Sequence, residues 1–204
     1  FMDQETRVYT QEYNERVEWY RSFGYDVEQE RSFIINAAHP FYGEVIEIGT
    51  GKGYTTCALA AEGVKFTSVD VLKESQDYAK IGLRALGLEN NVTFVLENAS
   101  SLDFEDGSFD VILSCETMHH LSSPLAVLNE MIRLASRDGK IVISDFTSAG
   151  MKLIEKVHSQ RGESHDYRQA PFEAIEACLQ ENDFIIGKKS TLFHQLLVGY
   201  RELL

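Results

Sequence analysis

Glu47, Gly49, Gly51 and Gly53 stand close together in the stretch VIEIGTGKGYTT, Val45 to Thr56. An apolar run stops at a carboxylate, and glycines then alternate with Thr50 and Lys52. Glycine permits positive φ and lets a ligand approach the main chain without meeting a Cβ. A helix start adds N–H groups that have no partner within the helix. The loop therefore suits close ligand contact, although a tight turn without a ligand would share the pattern. Its spacing is G-x-G-x-G, with Tyr54 where the third glycine of a dinucleotide fingerprint would fall. The phosphate-loop pattern G-x-x-x-x-G-K-[ST] is absent. Glu47 would be a poor neighbour for a pyrophosphate and suits a ligand with a positive end. Asp70 closes a second apolar run, FTSVD, at the distance where a ribose-binding carboxylate belongs. An N-cap for the following helix is the other reading of Asp70.

A second set of reactive side chains follows later. His119 and His120 come directly after FDVILSCETM, and HSQRGESHDY carries His158, Arg161, His165 and Tyr167. These groups are suited to hold a polar or anionic part of a substrate, or to sit in a solvated loop. For His119 and His120 a structural role is the alternative. The histidine spacing fits no standard ligand motif, so no metal site is expected. Cys57, Cys115 and Cys178 are odd in number and far apart, which gives neither a zinc pair nor a redox pair and points to a reducing cytoplasm.

The elements that must position these groups alternate. Residues 5–37 read as helical, with Tyr9, Tyr13, Val17 and Tyr20 at helical spacing and a break at Gly24. They form either an aromatic packing face or a cap over a ligand. Strands are expected at 44–48, 66–70, 92–96, 109–114 and 140–145. Helices are expected at 52–61, 73–86 (stopped by Gly87), 122–135, 149–158 and 171–182. Leu125, Leu128 and Ile132 are expected to form the packing face of the 122–135 helix. FIIGKK and TLFHQLLVGY read as a final antiparallel pair. The pattern implies a doubly wound α/β fold: a mostly parallel seven-stranded sheet with an antiparallel C-terminal strand and an N-terminal helical cap. Ligands of such sheets bind beyond the carboxyl ends of the strands, near the switch in strand order.

The 204 residues suggest one domain, with the cap at 5–37 and the α/β core at 41–204. The net charge of -13 disfavours a nucleic-acid partner. No apolar run approaches membrane-spanning length.

Taken in order, VIEIGTGKG, SVDV, SLDFEDGSFDVILSCETMHHL and EMIRLASRDGKIVISDF resemble the class I S-adenosylmethionine-dependent methyltransferases, in particular the small-molecule, quinone-biosynthesis-type subgroup. The resemblance runs from about Val45 to Ser144. It departs from the family at SRDGK, where a Pro-Gly or Gly-Gly turn is usual; Asp138 and Gly139 can still turn the chain. It implies a Rossmann-like methyltransferase fold, S-adenosylmethionine as cofactor with S-adenosylhomocysteine as product, and a set of roles. Gly49, Thr50, Gly51 and Gly53 would take the methionine and adenosine parts. Glu47 would orient the loop and the cationic end. Asp70 would bind the ribose hydroxyls, Val71 would pack on the adenine, and Asn98 and Ala99 would contact its edge. Ser114 and Cys115 would lie near the carboxypropyl group, Cys115 as a small lining residue rather than a nucleophile. The acceptor would be a small molecule, since no N/D-P-P-Y motif follows the fourth strand. His119, His158 and His165 are the candidates on that side. Methyl transfer from a sulfonium needs placement and exclusion of water more than a fixed catalytic set. An NAD(P)-dependent oxidoreductase and a non-catalytic cofactor-binding protein are the competing readings.

Overall fold

The computed structural model describes residues 3–162 and 170–201. Five parallel strands form its centre: β1 (Val45–Ile48), β2 (Phe66–Asp70), β3 (Val92–Leu96), β4 (Phe109–Cys115) and β5 (Ala135–Phe146). β6 (Phe184–Ser190) and β7 (His194–Arg201) complete a seven-stranded sheet of order β3-β2-β1-β4-β5-β7-β6. β7 is antiparallel to both of its neighbours. The order reverses between β1 and β4, which opens a crevice at the carboxyl edge there.

Strand alternation divides the core into two faces. Ile46, Ile48, Ile112, Ile141 and Ile143 face α5 (Pro124–Leu134) and α7 (Phe172–Glu181). Val45, Val111, Leu113 and Val142 face α2 (Val27–Ala38), α3 (Tyr54–Ala61) and α4 (Lys73–Leu86). Glu47 falls in the same alternation as Val45, so it is buried on the α3 side, 1% exposed. α1 (Gln4–Arg21) lies outside this layer, where Tyr9 packs so closely on Gly82 that a Cβ there would meet its hydroxyl at 2.4 Å. α6 (Ser148–Ser159) adds Ile154 to a small third cluster with Tyr25 and Phe146. Among the described residues no helix is long and apolar enough to cross a membrane.

The structure moves several expected boundaries. The N-terminal helical stretch is two helices, separated at Ser22–Asp26, with Asp26 accepting from the N–H groups of Glu28 and Gln29 as the cap of α2. α3 begins at Tyr54 rather than Lys52, because Gly51 and Gly53 adopt φ of 50° and 73°, outside the right-handed helical region. In α5 the buried stripe is Val127, Leu128, Met131 and Leu134, while Leu125 in the first turn is 40% exposed. β5 is longer than 140–145: its pairing with β4 shifts between Phe109↔Ala135 and Val111↔Lys140, so Ser136–Gly139 is accommodated as an irregularity within the strand. Gly87 closes α4 in the left-handed conformation, as expected.

Candidate functional site at the carboxyl edge

The loop between β1 and α3 is shaped by its three glycines. All have positive φ, and two are held against neighbours: a Cβ on Gly49 would meet Thr117 Oγ1 at 2.2 Å, and one on Gly53 would meet Ala79 Cβ at 2.4 Å. Gly51 differs, with no atom within 4 Å of the equivalent position. Its N–H donates to Asp70 Oδ2 at 2.9 Å, and Asp70 Oδ1 accepts from Leu72 N at 2.9 Å. Asp70 thus both fastens the glycine loop and caps the start of the next turn. Each carboxylate oxygen retains a second lone pair for a ligand hydroxyl. Val71 beside it is 58% exposed. Asn98 folds its side-chain oxygen onto Ser100 N and Oγ at 3.0 and 2.9 Å, and Ala99 packs against the core.

Glu47 lies beneath this loop. Its parallel neighbour in register is Ser68, whose hydroxyl donates to Glu47 Oε2 at 2.6 Å. Thr56 on α3 donates to the same oxygen at 2.7 Å, and Thr50 Oγ1 is 2.7 Å from Ser68 Oγ. The other oxygen, Oε1, is buried with no hydrogen-bond partner. Burial pushes the Glu47 carboxyl up to about 7, against the two hydroxyls that favour its ionised form. A raised carboxyl stabilises the fold below its unfolded value near 4.5, and that contribution is lost as pH rises through about 7. Glu47→Gln is therefore expected to raise the melting temperature of the ligand-free protein at pH 8 and to change little at pH 5. Scanning calorimetry at the two pH values checks this, and equal shifts at both would contradict it.

Ser114 and Cys115 end β4 on opposite faces, both buried, with Ser114 Oγ lacking a partner. Burial drives the Cys115 thiol well above its usual range, which suits a lining group and not a nucleophile. Past it the carboxyl edge becomes polar. His119 is buried, with Nδ1 2.6 Å from Asp145 Oδ1 and its backbone N–H donating to Asp145 Oδ2 at 3.1 Å. His120 is exposed, its ring tilted by 45° against that of His119 with centroids 3.9 Å apart. His158 on α6 has Nε2 2.8 Å from the Tyr20 hydroxyl of α1. Arg161 sits over the Trp19 ring at 5.2 Å. His165 and Tyr167 lie outside the described residues.

The structure adds a group of residues that sequence reasoning missed. Because β7 is antiparallel, its first residue, His194, arrives at the same edge as the carboxyl ends of β4 and β5, in register with Phe146. His194 Nδ1 is 2.9 Å from Glu30 Oε2 on α2, and Nε2 is 3.0 Å from Glu116 Oε1 just past β4. Thr191 also donates to Glu30 Oε2, at 2.6 Å. Burial alone would lower the His194 pKa; the Glu116 and Glu30 carboxylates reverse this and hold it up at about 9. Burial would raise both carboxyls, and the facing imidazolium instead keeps both below the usual range. Glu116 adopts φ of 51°, a left-handed conformation unusual for a side chain that is not glycine. Its side chain keeps 43% exposure just past the carboxyl end of β4, while His194 behind it is fully buried. An acid at or just past the carboxyl end of a strand was the available signal, and it was read at Glu47 and Asp70 but not at Glu116 or Asp145.

No grouping of three or more metal-ligating side chains with suitable geometry occurs among the described residues. A cavity of about 690 Å³ lies between α1, α2 and α3, bordered by Tyr13, Arg31, Ile35 and Tyr54. Its lining includes none of Glu47, the three glycines, Asp70 or Glu116.

A family model described as a methyltransferase domain matches residues 43–195. The demethylmenaquinone methyltransferase of Clavibacter sepedonicus is 30% identical over 121 residues, 59% of this chain and 48% of that protein. The crystal structure of YcgJ from Bacillus subtilis superposes with a TM-score of 0.63 at 26% identity, covering 80% of this chain and 71% of that one. A phosphoethanolamine N-methyltransferase of Haemonchus contortus, solved with S-adenosylhomocysteine, shares the fold at a TM-score of 0.66 and 16% identity, covering 86% of this chain and 53% of that one. The chain spans about half the length, or less, of most of the curated relatives it matches.

Proposed function

The chain belongs to the methyltransferase-domain family, and from that premise we propose that it transfers the methyl group of S-adenosylmethionine to a small-molecule acceptor at the carboxyl edge of its sheet. The observation that carries the reading is the open backbone at Gly51, tied by its N–H to Asp70 at the switch in strand order. There the loop admits the cofactor's main body, and Asp70 takes the ribose hydroxyls with its remaining lone pairs. Val71, apolar and exposed beside Asp70, offers a surface for the adenine, and Asn98 and Ala99 border its edge. Glu47 fits a cofactor with a positive end: its unpartnered oxygen lies beneath the loop, and a cation above would favour ionisation. Ser114 and Cys115 line the floor at β4. When bound, the cofactor supplies a methyl group on a good leaving group. The chain's task is to place an acceptor in line and exclude water. His119, fixed by Asp145, and His158, beside Tyr20, are on the acceptor side. The acidic surface opposes a nucleic-acid acceptor. The three free cysteines accord with a reducing compartment such as the cytoplasm.

The same crevice in a dinucleotide enzyme would have to hold a pyrophosphate at the glycine loop, beside Glu47. The like charge of Glu47 just before the glycines, and Tyr54 in place of the third glycine, weigh against the NAD(P) reading. S-adenosylhomocysteine at about a hundredfold over its dissociation constant is expected to stabilise the fold by roughly 2.7 kcal/mol. NAD at the same concentration is expected to give no shift. A thermal-shift series with a response to NAD alone would remove the proposal, and binding without product formation from any small acceptor would leave a non-catalytic cofactor-binding protein.

A further inference from the structure

The crevice side of the Glu30–His194–Glu116 group is not explained by cofactor binding. Glu116 stands one residue before Thr117, and Thr117 is the side chain against which Gly49 packs. The backbone at Glu116 therefore passes close to the glycine loop near the switch point, and its side chain is 43% exposed. One oxygen is held by His194 at 3.0 Å, and His194 is fixed from behind by Glu30 at 2.9 Å. The imidazolium keeps Glu116 ionised and oriented, and the left-handed backbone at 116 aims it. The rings around His194 are Phe146 at 4.8 Å and Tyr25 at 6.0 Å between centroids. Arg31 adds a positive charge from α2, with its guanidinium 5.1 Å over the Tyr54 ring and 3.2 Å from the Tyr13 hydroxyl.

We propose that Glu116 is a catalytic carboxylate and that the methyl acceptor is a neutral amine; the inference rests on the methyl-transfer reading above. The amine donates an N–H to the free oxygen of Glu116, which directs the nitrogen lone pair toward the methyl group. The lone pair forms the new C–N bond, the S–C bond breaks, and its electron pair stays on sulfur. The positive charge passes from sulfur to nitrogen, so no proton has to leave for transfer to occur. A fixed carboxylate beside the nitrogen stabilises the charge as it develops there. A phenol would instead need a base to take its proton. Glu116 is a poor one, since its ion pair with His194 favours the ionised form. Glu30 and His194 are positioning residues that act through Glu116.

4-Methylaniline, which is neutral at pH 7, and 4-methylphenol are a matched pair of probes of similar size. Three quantities are read for the parent and for Glu116→Gln: S-adenosylhomocysteine affinity by calorimetry, affinity of each probe for that complex, and product formation with S-adenosylmethionine. Glutamine keeps the shape and can still accept from His194, and cofactor affinity within about threefold of the parent reports an intact fold. The parent is expected to bind and methylate 4-methylaniline in preference to 4-methylphenol. Glu116→Gln is expected to lower kcat/KM for the amine by about a hundredfold or more and to weaken amine binding measurably. Preference for the phenol, no methylation of the amine by cofactor-bound parent, or unchanged amine turnover in Glu116→Gln would overturn the proposal while leaving methyl transfer standing. Failure of the parent to bind S-adenosylhomocysteine would overturn the reading beneath it.

Discussion

Replacing His194 with alanine is expected to cost about 3–5 kcal/mol of stability at pH 7, the range for removing one partner from a buried charged group. Glu30 and Glu116 would then face each other across an apolar space without the cation that now holds both, and Tyr25 and Phe146 would border the gap. The pH dependence of the parent has a defined sign. His194 is raised from 6.5 to about 9, so its contribution is complete below about 6.5 and is lost as pH rises through about 9. Over that interval the loss is on the order of 3 kcal/mol. The two carboxyls are lowered, so their contribution is present above their unfolded values and falls away in acid. The difference between parent and His194→Ala should therefore be widest between about pH 5 and 6.5 and should narrow on both sides. Urea unfolding across pH 4 to 10 measures it. A difference below about 1 kcal/mol at pH 7, or one that grows with alkalinity, would mean that the carboxylates find water in the variant.

Asp70→Ala is the second large effect, and it acts on binding and on structure together. If Asp70 takes the ribose hydroxyls, losing two charge-assisted hydrogen bonds at about 1.5–3 kcal/mol each lowers cofactor affinity by about 3 kcal/mol or more, on the order of a hundredfold. The same change releases Gly51 N and Leu72 N, so the free protein should lose about 1–2 kcal/mol as well. Asp70→Asn separates the two, because one carbonyl oxygen can still cap Leu72 while the anion is lost. Calorimetric titration with S-adenosylhomocysteine and denaturant unfolding are needed on both variants. A stability loss with unchanged affinity would leave Asp70 as a capping residue alone.

Much of the frame was legible because it depends on local rules. Val45, Phe66, Val111 and Ile141 sit in short apolar runs bounded by turn residues, and those runs became the central strands. Gly87 stopped α4 through its own backbone freedom. The glycine loop was legible for the same reason, since only glycine takes the φ values found at 49, 51 and 53 without strain. The acceptor side was less so. Asp145 and His119 are 26 residues apart and meet only because β4 and β5 pair in parallel. Glu30 and His194 are separated by 164 residues and meet because α2 crosses the end of β7. No periodicity within either segment marks such a meeting. Of the expected α5 stripe only Leu125, in the first turn, was misplaced: it is 40% exposed, whereas Leu128 is buried and Ile132 packs against the core.

The family match begins at residue 43, after α2 has ended. Glu30 and Arg31 therefore come from a segment outside the residues that the family model matches. A lineage could exchange this helix and alter what it recognises without disturbing the inherited loop after β1. Selectivity would then diversify faster than chemistry. Grafting the first 42 residues of a relative onto this β/α body would be a direct way to observe that separation.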